Sequence, residues 1–311
     1  MPDGLWMKVC VMGLGEIGLG LVRALGEQSA LMLTAAVDSA GDKHGKHLTE
    51  WVPAAPPLTI LSELTKASGE TVLLHAAGSY LQEVIPQLEH AVRLGYHVVS
   101  TCEELADPGT AAEGLNELCK REGRVVVATG VNPGFVFERL ASLLVHVSGP
   151  VSAIVGTRVV DTRTRRAALQ KKTGAGMSRA EFLDAVAIGH FGHVGLQASA
   201  RLAARGCGLS IDDLQETIEP VMNDQTVSGI HQVVVGSQGG VQRVRLDLTM
   251  ALGAQQPRDE IALEPDGLRL VVPGGTPGER ATFWTTLRAA GWVAAMPPGV
   301  RNVLDLPLGV R

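Results

Sequence analysis

Six residues constrain this chain more than any others: Gly13-Leu14-Gly15-Glu16-Ile17-Gly18. They follow directly on Lys8–Met12, an apolar run of the kind that makes a strand buried on both faces. An amphipathic segment comes next, with Leu19, Val22 and Leu25 on one side and Arg23 and Glu27 on the other. A second apolar run, Leu31–Val37, ends at Asp38, twenty residues beyond Gly18. Strand, glycine turn, helix, strand and acid in that order predict a βαβ unit that holds a dinucleotide. Gly13 permits the sharp turn, Gly15 lets backbone N–H groups approach a pyrophosphate, and Gly18 lets helix and strand pack closely. The helix N-terminus supplies partial positive charge for the phosphates, so Leu14, Glu16 and Ile17 join the glycines as cofactor positions. Asp38, with Ser39 beside it, is placed to accept hydrogen bonds from ribose hydroxyls and to repel a 2′-phosphate, which favours NAD. Lys43 and Lys46 are the nearby cations able to hold that phosphate and admit NADP.

The alternation then repeats. Thr71–Ala76, His97–Ser100 and Arg124–Ala128 read as buried strands, with helices over Leu81–Leu94 and Thr110–Glu122 between them. The expected fold class is α/β: a Rossmann-type, doubly wound parallel sheet over residues 1–134. Ligands on such sheets lie off the carboxyl ends of the strands, which selects the loops Ala77–Tyr80, Thr101–Pro108 and Thr129–Gly134. From Phe135 the pattern changes. A helix is expected over Phe135–Val147, then β-rich stretches at Ile154–Val160, Ile230–Val235, Val241–Met250 and Leu268–Val272. Helices near Arg179–Ile188 and Val194–Arg205 interrupt them. Strands in runs with separate helices predict a second, α+β mixed-sheet domain over 135–275. The segment 276–311, with a helix near Gly278–Ala295, can pack back on the first domain.

At 311 residues the chain is long enough for two cores. Its net charge is 27 − 32 = −5 with no basic block, which argues against nucleic acid as a partner. No apolar run approaches the ~20 residues of a membrane span, and no signal peptide is evident, so a cytoplasmic protein is expected. Cys10, Cys102, Cys119 and Cys207 are scattered and read as reduced thiols.

Thr101-Cys102-Glu103-Glu104 carries the chemistry with the most weight. Two carboxylates follow a buried strand at the sheet end where a nicotinamide belongs, and either can act as general acid or base there. They can equally be first-turn acids favouring the positive end of the following helix, and position alone leaves both readings open. Asn132-Pro133-Gly134 is either a substrate contact or a turn between domains. Arg163, Arg165, Arg166, Lys171 and Lys172 form a basic segment with Gln170 and Thr173, a solvated face or in part a substrate contact. His190 and His193 lack further ligands at metal spacing, so no metal is expected. His75 and His231 read first as packing residues, His231 also as a substrate contact. No G-x-S-x-G or H-E-x-x-H motif competes.

The chain resembles the 2,4-diaminopentanoate dehydrogenase family and its relatives, the native amine dehydrogenases, within the wider group built like dihydrodipicolinate reductase. Besides Gly13–Gly18, the resemblance rests on His75–Gln82 (HAAGSYLQ), Val99–Pro108 (VSTCEELADP), Thr129–Phe135 (TGVNPGF), Val159–Gly174 (VVDTRTRRAALQKKTG) and Asp305–Leu308. It implies NAD(P)-dependent interconversion of an amine with a ketone or aldehyde and ammonia, in a homodimer. A glutamate of the STCEE segment is then the catalytic acid–base, carried here to Glu103, with Glu104 the second choice. Ala77, Gly78, Ser79, Thr101, Cys102 and Asn132 fall on the cofactor side. Asn132, Pro133, Phe135, Phe137, Arg163, Lys171, Thr173 and His231 fall on the substrate side. The chain departs from dihydrodipicolinate reductase proper in lacking a K-x-x-x-P-S-G-T segment, and its last helix, Phe283–Ala295, is less typical. The alternatives are a homoserine- or aspartate-type dehydrogenase, or a non-catalytic dinucleotide sensor.

Overall fold

The computed structural model describes residues 7–164, 173–189 and 191–309. The chain divides into two compact units, Met1–Gly134 with Pro277–Arg311, and Phe135–Thr276.

In the first unit the apolar runs become strands β1 (Met7–Met12), β2 (Leu31–Val37), β3 (Thr71–His75), β4 (His97–Ser100) and β5 (Val125–Ala128). Helices α1 (Glu16–Leu25), α2 (Leu81–Arg93) and α3 (Glu113–Glu122) alternate with them. Helix α7 (Gly278–Val293) and strand β12 (Gly299–Arg301) return from the far end of the chain. All pairings are parallel, in the order β12-β5-β4-β3-β1-β2. β1 thus has β2 on one side and β3 on the other, and the winding reverses there, which is where such sheets bind ligands. Val9, Leu21, Leu74, Val99 and Val127 share one core with Leu287, Ala290 and Val293 of α7. Burying each of these valines and leucines fully stabilises the fold by about 1.5–3 kcal/mol. Gly20 is the notch in α1 that admits α7, since a Cβ there would lie 2.0 Å from the Phe283 ring.

The second unit holds α4 (Arg139–Val145), β6 (Ala153–Asp161), α5 (Arg179–Ala187), α6 (Leu196–Gly206), β7 (Asp213–Asn223), β8 (Thr226–Gln238), β9 (Val241–Ala251), β10 (Arg258–Glu264) and β11 (Leu268–Pro273). Its sheet runs β11-β10-β6-β9-β8-β7 and is mixed, because β6 and β9 are parallel and the other neighbours antiparallel. Ile154, Ile230, Leu246, Leu248, Ile261 and Leu263 are buried on one face, over which α4 and α6 pack. The alternate residues Val155, Thr157 and Val159 on β6 remain partly exposed on the other face. The α/β class and the parallel and mixed sheets agree with the sequence reading. The helix expected from Phe135 begins only at Arg139, because the chain turns through residues 132–138 first. Among the described residues no helix is long and apolar enough to cross a membrane.

Candidate active site

The glycine turn leaves β1 at Gly13, whose φ of +86° suits glycine. A Cβ at Gly13 would lie 2.7 Å from the Ala76 carbonyl oxygen, so the exits of β1 and β3 touch. A Cβ at Gly18 would lie 1.8 Å from the Gly13 carbonyl oxygen, which makes Gly18 the close-packing glycine of the turn. At Gly15, by contrast, a Cβ would meet nothing within 4 Å. Gly15 is also the N-cap of α1, so the helix end opens onto free space, and this geometry fits a pyrophosphate. Leu14 is buried, and its N–H donates to Asp38 Oδ2 at 2.7 Å. The Ala40 N–H donates to Asp38 Oδ1 at 2.9 Å, and Lys43 Nζ lies 3.3 Å from Oδ2. Burial alone would raise the Asp38 pKa, but the Ala40 and Leu14 amides and the Lys43 ammonium outweigh it and hold the carboxyl below its ordinary range. Of the two candidate cations, Lys43 is the one on Asp38. Lys46 lies over the Trp51 ring instead.

The loop after β4 separates the two carboxylates. Thr101 N–H continues the ladder to the His75 carbonyl at 2.9 Å. Cys102 is buried, and burial pushes its thiol up to about 11, so it is not a nucleophile at neutral pH. The Cys102 thiol donates to the Ser79 carbonyl at 3.1 Å, and the Glu104 N–H donates to the same oxygen at 3.2 Å. Glu104 Oε2 accepts the Leu81 N–H at 2.6 Å. Leu81 is the first residue of α2, whose N-cap, Tyr80, offers no side-chain cap. Glu104 therefore caps the preceding helix α2, rather than favouring the following helix. Glu103 meets a different environment: its Oε2 is shielded from solvent and has no hydrogen-bond partner among the described residues.

Asn132-Pro133 is a cis peptide, and Gly134 packs so tightly on the Gly130 backbone that a Cβ would approach it to 2.6 Å. In the second unit, Phe137 is fully buried against Gly156, as a core side chain. Phe135 is half-buried and Thr173 fully buried. Arg163 is exposed, and its guanidinium is tied to Asp161, whose carboxyl it holds down at about 2. His231 Nε2 lies 3.3 Å from Asp247 on the sheet face opposite the helices. Lys171 and His190, with Arg165, Arg166, Gln170 and Lys172, lie outside the described residues. Among the described residues no group of His, Cys, Asp and Glu side chains is arranged to hold a metal ion.

Sequence reasoning missed two buried polar pairs of the second unit. Glu138 is fully buried and accepts the Ser199 hydroxyl at 2.5 Å. Arg158 and Asp259, opposite one another on β6 and β10, form a buried ion pair with two contacts of 3.1 Å. The signal was present for Arg158, a charge at an inward position of the alternating run Ile154–Val160.

The family model for the 2,4-diaminopentanoate dehydrogenase C-terminal domain matches residues 135–310. The 2,4-diaminopentanoate dehydrogenase of Acetoanaerobium sticklandii is 23% identical, over 97% of this chain and 94% of that protein. Among solved structures, the amine dehydrogenase of Mycobacterium smegmatis superimposes with a TM-score of 0.81 at 16% identity, covering 98% of this chain and 97% of that one. The scyllo-inositol dehydrogenase of Lactobacillus casei follows the same fold, with a TM-score of 0.66 at 13% identity over 97% and 93% of the two chains. With more than half of its length matched by the family's model, the chain belongs to the 2,4-diaminopentanoate dehydrogenase family and is an oxidoreductase.

Proposed function

We propose that this chain is an NAD(P)-dependent amine dehydrogenase that interconverts a small amine with the corresponding ketone or aldehyde and ammonia. The observation that carries the reading is the divergence of two neighbouring carboxylates. Glu104 is bound to the end of α2, whereas Glu103 keeps an oxygen shielded from water and without a partner among the described residues. Such an oxygen is free to exchange a proton with a substrate. The fold likeness to an amine dehydrogenase and the relationship to a diaminopentanoate dehydrogenase support the same chemistry.

The turn Gly13–Gly18 and Asp38 would hold the dinucleotide, at its pyrophosphate and its ribose respectively. When bound, the nicotinamide supplies or accepts hydride at the carbon that bears nitrogen. Glu103 handles the protons. In the direction of amine formation it takes one from ammonium, which frees the nitrogen lone pair to add to the carbonyl carbon. The same proton is returned to the carbinolamine hydroxyl, which leaves as water. Glu103 is then again an anion, and its charge stabilises the iminium cation beside it.

A panel of ketones and aldehydes, followed at 340 nm with and without ammonium, tests this. Consumption of reduced cofactor that requires both carbonyl and ammonium is expected. Consumption without ammonium would favour a homoserine-type dehydrogenase. Cofactor binding without turnover on any pair would leave a dinucleotide sensor.

A further inference from the structure

We propose that His75 is a positioning residue for Glu103, acting through Ser100 and the Cys102 amide; this rests on the acid–base reading of Glu103 and extends it. Four hydrogen bonds link the catalytic loop to α2, each donating in the direction of α2. Gln87 donates its amide to the Glu83 carbonyl at 3.0 Å, which leaves Gln87 Oε1 facing His75 Nε2 at 3.2 Å. His75 Nε2 therefore carries the ring proton, and Nδ1 is an acceptor. Ser100 Oγ lies 3.0 Å from Nδ1 and donates to it. With its proton so committed, the hydroxyl oxygen accepts the Cys102 N–H at 3.1 Å.

His75 and Ser100 are both fully buried, so water does not compete for the bond between them. Burial also pushes the His75 pKa down to about 4, against a smaller opposing effect of Gln87, so Nδ1 stays an acceptor at neutral pH. On the other side of Glu103, the Ser79 carbonyl holds the Glu104 N–H and α2 holds the Glu104 carboxylate. Glu103 is thus bracketed: its neighbours are pinned on both sides while its own carboxylate oxygen Oε2 has no partner among the described residues. A catalytic side chain held this way needs its backbone fixed from behind, because displacement by about 1 Å can cost about 10²-fold in rate.

The test compares His75→Asn with His75→Gln. An Asn oxygen takes the place of Nδ1 and can still accept from Ser100, whereas a Gln amide reaches only the place of Nε2. A packing role alone would treat the two substitutions alike. We expect His75→Gln to lower kcat by about 10²-fold with the cofactor KM unchanged, and His75→Asn to stay near the parent. Backbone hydrogen exchange over residues 98–106 should quicken in His75→Gln and in Ser100→Ala, and remain parent-like in His75→Asn. Ser100→Ala, the smaller change, gives the answer should the histidine variants fold poorly. Equal turnover in the Asn and Gln variants, or unchanged exchange in Ser100→Ala, would overturn the proposal. Parent-like turnover in Glu103→Gln would instead sink the acid–base reading, with exchange still deciding whether the relay exists.

Discussion

Glu103 and Glu104 share a peptide bond but not an environment. Glu103→Gln keeps size and hydrogen bonding while removing proton transfer, so amine formation should fall by about 10²–10⁴-fold with the cofactor dissociation constant unchanged. Glu104→Gln leaves an acceptor oxygen for Leu81 but removes the charge from the end of α2. It should cost about 0.3–1 kcal/mol, visible as a small fall in Tm with turnover retained. The reverse ranking would transfer the acid–base role to Glu104. Both carboxylates were legible in the sequence as a pair at a strand exit. Which of them was occupied was not legible, because that depends on an amide 23 residues earlier. Asp38 is a similar case. Its place after β2 was readable, but its hold on the Leu14 amide was not. Asp38→Ala should weaken NADH by roughly tenfold or more, the worth of a charge-assisted hydrogen bond, and shift preference toward NADPH. Lys43→Ala should move preference the other way. An unaltered NADH/NADPH ratio in both, measured by fluorescence titration, would remove these residues from the ribose site.

At the level of elements, buried strands announce themselves and edge strands do not. β1, β3, β4 and β5 are near-continuous apolar runs because helices cover both faces of a parallel sheet. β7 escaped notice because it is an edge strand, mostly exposed, with Glu216, Glu219 and Pro220 in its length. β10 escaped because it opens Arg258-Asp259-Glu260, a stretch that reads as surface. In the fold Asp259 is fully buried, bonded to Arg158 and to the Thr276 N–H at 2.6 Å, beside a cavity of about 150 Å³. Asp259→Ala would take the buried carboxylate away from the Arg158 guanidinium and should destabilise the second unit by about 3–5 kcal/mol in chemical denaturation. Replacing both members with Met and Leu should cost far less, since it removes the charge and its counter-charge together. A double variant as unstable as the single one would contradict that account.

For the whole molecule, the face of the second sheet opposite α4 and α6 is the surface to test. Val155, Val159 and Thr157 lie there with Asp247 between Arg245 and His231, and with Glu260 between Arg258 and Arg269. We expect two copies to pair through it, burying at least ~1,200–2,000 Å² in total. Light scattering at micromolar concentration should give twice the monomer mass, and Val155→Glu with Val159→Glu should halve it. A monomer in the parent protein would refute the assignment of this face. The return of α7 to the first core has a different bearing, on how the chain is made. Residues through Gly134 leave the ribosome first, yet Leu287, Ala289, Ala290 and Val293 belong to the same core as Val9 and Leu21. Synthesis therefore runs against assembly: the contiguous second unit can close while the first still waits for its last helix. Until Phe283 arrives, the notch that Gly20 leaves in α1 has no ring to fill it.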